Sequence, residues 1–128
     1  MGFLDESLER GVSLKPDVIA CDAGSTDSGP FYLGSATPKM SRSAILQDLR
    51  RLLLARDQLK IPLIIGSCGT SGVDSGVEWM REMTLEIARE EYLSFKIGRV
   101  YSEQNPELMA QAFQSEKIEP LPEAPEIY

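Results

Sequence analysis

The sequence predicts an α/β fold, a three-layer αβα sandwich on a mostly parallel, Rossmann-like sheet. Two apolar runs carry that prediction, Val18–Cys21 and Pro62-Leu63-Ile64-Ile65. Each breaks at once into small hydrogen-bonding residues, Asp22-Ala-Gly-Ser-Thr-Asp-Ser-Gly-Pro30 and Gly66-Ser-Cys-Gly-Thr-Ser-Gly72. Segments of helical length, with apolar residues at helical spacing, follow both. Strands alternating with helices imply a parallel sheet covered on both faces, with ligands at the carboxyl ends of the strands.

The elements follow in order. Phe3, Leu4, Leu8 and Val12 form a loose apolar stripe that predicts a short helix over 3–11. Pro16 marks the entry to a first strand, Asp17 to Cys21. Residues 22–40 read as one long loop, packed through Phe31, Tyr32 and Leu33. A loop longer than ~12–15 residues in a compact domain is usually functional or disordered. Ser41 is a helix cap, and Ile45, Leu49, Leu52, Leu53 and Leu59 are the buried stripe of a helix ending at Leu59. Pro62 opens the second strand. A helix over 77–92 buries Trp79, Met80, Met83, Ile87 and Ala88. A third strand is expected over Phe95–Tyr101, ending in Ser102 and Glu103. Asn105-Pro106-Glu107 then supplies a cap, a proline at the first helical position and an acid in the first turn. Residues 1–115 thus make one domain. Residues 116–128, with three of the eight prolines, make an extended tail or linker.

Composition narrows the function. At 128 residues the chain suffices for one core, and its 42% apolar and 26% charged residues are those of a soluble globular protein. Twenty acidic residues against 13 basic give a net charge of −7, which argues against nucleic acid or an anionic membrane as partner. No apolar run approaches the ~20 residues of a membrane helix, and the start Met-Gly-Phe-Leu-Asp-Glu lacks signal-peptide character. A cytoplasmic location is expected, with Cys21 and Cys68 reduced. There is no histidine, which removes Ser-His-Asp and Cys-His mechanisms and imidazole-based zinc sites within this chain.

Chemistry then falls to the polar strand ends. Asp22 and Glu103 are the candidate catalytic residues, one as general base. Gly24, Ser25, Thr26, Asp27, Gly66, Ser67, Gly69 and Thr70 are the candidate substrate-binding residues, with loop amides stabilising an enolate or oxyanion. Asp22, Asp27 and Glu103 together suit a divalent cation such as Mg²⁺, although the cofactor is not specified. The glycine loop precedes a helix whose positive end favours a phosphate or carboxylate. Each residue also has a plainer reading. Asp22–Gly24 suits a tight turn, Gly66–Gly72 a bare loop, and Cys68 a small buried filler. Glu103 suits a solvated strand-end acid, and Lys39 and Arg42 suit surface cations. The spacing G-x-x-G-x-x-G is not the dinucleotide fingerprint, and no lysine follows as a phosphate loop requires.

The run Pro16-Asp17-Val18-Ile19-Ala20-Cys21-Asp22-Ala23-Gly24-Ser25-Thr26-Asp27-Ser28-Gly29-Pro30-Phe31-Tyr32-Leu33-Gly34 resembles the opening motif of the acyclic terpene utilisation (AtuA-like) family, long grouped as a domain of unknown function. Ile61–Ser67, Gly69 and Gly72 resemble its second motif, and Ile87–Glu91 and Glu103-Gln104 continue the likeness, which runs over most of 3–118. The resemblance implies bacterial catabolism of terpene-type acids through CoA thioesters, without a defined reaction or catalytic residues. Family members are several times longer and begin with a strand and glycine-rich turn that is not found here. The resemblance therefore implies an amino-terminal portion, a fragment or a shortened paralogue.

Two functions follow as expectations. One is a domain of a metabolic enzyme acting on a small organic acid or acyl-CoA, by lyase- or hydratase-type chemistry, and inactive if this short chain stands alone. The other is a non-catalytic binding or assembly module with an open sheet edge, forming a homo-oligomer or associating with a missing carboxy-terminal portion.

Overall fold

The computed structural model describes residues 2–24 and 28–119. In chain order these form α1 (Asp5–Ser13), β1 (Ile19–Asp22), α2 (Pro30–Ser35), α3 (Arg42–Leu59), β2 (Leu63–Gly66), α4 (Asp74–Glu90) and α5 (Pro106–Gln114). β1 and β2 run parallel in register Ile19↔Leu63 to Asp22↔Gly66, and they are the only strands among the described residues. The unit is helix-dominated. This overturns the three-layer sandwich with a Rossmann-like sheet: among the described residues the sheet has two strands, and one of its faces is left uncovered.

The helices that formed as expected did so for local reasons. Ser41 Oγ accepts from Ala44 N at 3.3 Å, and Asn105 Oδ1 accepts from Glu107 N at 2.8 Å and Leu108 N at 3.3 Å. These bonds satisfy backbone donors that a helix start otherwise leaves orphaned. α3 buries Ile45, Leu49, Leu52, Leu53 and Ala55, while α4 buries Gly76, Met80, Met83 and Ile87. The two helices meet along that seam, with Arg42 paired to Glu86 and Arg50 to Glu90 and Glu91 across it. α2 was not expected; Pro30 starts it inside the long loop.

Only one face of the sheet is covered. Leu63 and Ile65 pack against the α3–α4 cluster with Ala23 at its edge, whereas Ala20, Asp22, Ile64 and Gly66 face outward and Ile64 is 59% exposed. α5 buries no residue; Leu108, Met109 and Phe113 are all exposed. No helix among the described residues is long and apolar enough to cross a membrane.

The expected third strand over 95–101 is irregular chain. Side-chain bonds explain why. This segment runs back along α4 as a strap, where Arg99 and Tyr101 both bond Glu78 and Ser102 Oγ donates to Gly72 O at 2.9 Å. Its apolar alternation is left largely unburied, with Ile97 and Tyr101 both exposed.

The strap carries a pH signature. The Glu78 carboxyl is held below the usual carboxylate range, first by the Tyr101 hydroxyl and then by the Arg99 guanidinium. A depressed folded-state value means the contribution is present above the unfolded value, ~4.3, and is lost as pH falls through the folded one. Glu78→Gln should therefore lower the urea midpoint at neutral pH, and the difference should vanish once both states are protonated. Paired urea titrations from neutral to acidic pH measure it, and a difference that grows on acidification contradicts the assignment.

Candidate functional site

The two strand ends are laced together. Ala23 N donates to Gly66 O at 2.9 Å, and Gly69 N donates back to Ala23 O at 3.2 Å. The two loops touch so closely that a Cβ on Gly24 would lie 2.7 Å from Ser67 Cβ and 2.8 Å from Thr70 Cα. α4 seats its first turn on the same knot, because a Cβ on Gly76 would clash with Cys68 O. Thr70, 8% exposed, holds a φ of 105°, a rare state for a β-branched residue and one kept only where its surroundings impose it.

Of the predicted binding residues, Gly24, Gly66, Ser67, Gly69 and Thr70 are thus brought together. Ser25, Thr26 and Asp27 lie outside the described residues. The amides expected to cradle an anion are already engaged: Cys68 N bonds Gly66 O at 2.8 Å, Gly69 N bonds Ala23 O, and Thr70 N bonds Ser67 O at 2.7 Å. Ser28 Oγ, at the end of the first loop, is buried with no hydrogen-bond partner among the described residues.

Both candidate catalytic acids are occupied by backbone. Asp22 Oδ1 accepts from Gly24 N at 2.8 Å, an Asx turn that shapes the loop entrance. Glu103 Oε2 accepts from Asp74 N at 2.9 Å, and Asp74 Oδ1 accepts from Glu103 N at 3.4 Å, a reciprocal cap on α4 across 29 residues. Glu103 therefore sits where the helix end was expected to receive an anionic ligand. Among the described residues no three acids, cysteines or histidines are grouped to hold a metal, and Asp27, a proposed ligand, is not among them.

Cys21 and Cys68 are both thiols. Burial, the leading cause in each, pushes both above the ordinary thiol range. Cys68 is accordingly held protonated, as a filler, and is not activated by the nearby helix.

The Asx turn yields a direct test. Asp22→Asn keeps an oxygen for Gly24 N, so stability should be held within about 0.5 kcal/mol, whereas Asp22→Ala should cost about 1 kcal/mol, one net hydrogen bond. Urea unfolding of both variants reads the difference. Equal losses would show that the turn bond contributes nothing.

What sequence reasoning missed is a second cavity-bearing surface. Between the outer edge of β2, α4 and the strap lies a cavity of about 440 Å³. Its cationic residues, Arg56, Arg81, Lys96 and Arg99, come from three separate segments, and only the fold shows that they line one cavity. Compared with protein-family models, curated proteins and solved structures, the chain matches none.

Proposed function

We propose that this chain is the ligand-holding part of a protein acting on a small organic acid or its CoA thioester, and that it works with a further polypeptide completing its sheet. It is not a self-sufficient catalyst in this reading. The observation that carries the reading is the uncovered sheet. A sheet that among the described residues has two strands, one bare face and an exposed Ile64 is a poor end point for a fold, because open edges and apolar faces recruit partners. The engaged carboxylates of Asp22 and Glu103 support a binding role over a catalytic one. The likeness of Pro16–Gly34 to the AtuA-like motif supports the ligand class.

Light scattering after size-exclusion chromatography tests the assembly part. A concentration-dependent dimer or higher oligomer is expected, and Ile64→Glu should weaken it. A monomer at every concentration, with no change on adding a candidate partner polypeptide, overturns the reading.

A further inference from the structure

We infer that the cavity between β2, α4 and the strap is a binding site for an amphipathic monocarboxylate, an apolar chain with a single anionic head. The inference rests on the proposal above for the class of ligand, an organic acid, and goes beyond it by assigning a site away from the strand ends. Two features of the lining point to this chemistry.

The first is apolar depth. Leu63, Ile65, Val77, Met80 and Phe95 line the cavity, and 440 Å³ lies within the ~300–1,000 Å³ of small-molecule sites. β2 forms one wall because the strap stands off from it, so an apolar chain would occupy the space that a third strand would have closed.

The second is charge. The protein carries 20 acidic residues and a net charge of −7, yet among the described residues no acid lines this cavity and four cations do. Three of the four already have a partner, Arg81 the most loosely. Arg56 Nε donates to Ile61 O at 2.9 Å, and Arg99 holds Glu78 at 2.6 Å. Arg81 lies 3.7 Å from the other oxygen of Glu78, a loose pairing, and Lys96 has no acidic partner among the described residues. Arg81 and Lys96 are therefore the head-group cations. A carboxylate brought to them meets one cation with no acidic partner among the described residues and one held only loosely by Glu78, and a charge-assisted contact is stronger than a neutral one.

The test is calorimetric titration of the intact chain with sodium octanoate, 1-octanol and sodium acetate. Octanoate should bind, and octanol and acetate should each bind at least about tenfold more weakly, the factor one charge-assisted contact or one apolar chain supplies. Arg81→Glu with Lys96→Glu should remove the preference for octanoate over octanol. Ile97→Trp, a partly exposed strap position lining the cavity, should weaken both by filling it, and circular dichroism checks that each variant keeps its helices. Octanoate bound with undiminished affinity by both variants would place it elsewhere and overturn this site while leaving the organic-acid reading intact. No octanoate binding, or equal binding of octanol, overturns the site outright. Neither outcome bears on the oligomer measurement, which tests the sheet-completion reading separately.

Discussion

Leu49→Ala is expected to lower the free energy of unfolding by about 3 kcal/mol, the cost of a cavity left by a fully buried leucine. Leu49 is 0% exposed and stands in the cluster of Ile45, Leu53, Met80, Met83 and Ile87 that joins α3 to α4. That cluster is the core of the described residues, and no disulfide supplements it. Domains of this size are stable by only about 5–15 kcal/mol, so the loss is a large share of the total. The urea midpoint should fall with an unchanged m value, because the surface exposed on unfolding barely changes. A loss below about 1 kcal/mol, the level of an ordinary surface change, would show that the seam is not the core.

Gly24→Ala is expected to be strongly damaging for a single-methyl change, at about 2–3 kcal/mol for an overpacked site. The added Cβ would meet Thr70 Cα and Thr70 N at 2.8 and 2.9 Å, and backbone cannot swing aside as a side-chain tip can. Relief would require parting the loops, which breaks the Gly69 N to Ala23 O bond and frees Thr70 from its positive φ. Gly11→Ala is the matched control. Gly11 lies inside α1 with nothing within 4 Å of its Cβ position, so alanine there should stabilise by about 0.5–1 kcal/mol. Trp79, the only tryptophan, reports on the knot, since Gly69 packs beside its ring. Its emission should change in the Gly24 variant and stay constant in the Gly11 variant. Equal stabilities for the two variants would mean that the loops are not in contact in solution.

Much of the local structure is legible in the residues. Ser41 and Asn105 cap the helices that they were expected to start, because a cap needs only a side-chain oxygen and the next three amides. The stripes of α3 and α4 and the two apolar strands are likewise short-range patterns. The third strand was not legible. Phe95, Ile97 and Tyr101 alternate as a strand would, but alternation says nothing of a competing carboxylate, and Glu78 from α4 holds Arg99 and Tyr101 instead. The hydrogen-bond partners of the strand-end acids were likewise not legible. Asp22 and Glu103 stand in the sequence as strand-end acids, and only the fold shows that they accept from Gly24 N and Asp74 N.

Charge balance, the absence of histidine, the helix starts and the pairing of two apolar runs with glycine loops were determined by the sequence alone, since each depends on composition or on neighbours a few residues away. Tertiary structure alone decided that Gly24 and Gly76 leave no room for a Cβ and that, among the described residues, one sheet face stays bare and four cations and no acid line one largely apolar cavity. Those properties are contacts between segments tens of residues apart. They arise only when packing sets which surfaces meet, and local propensity carries no information about that choice.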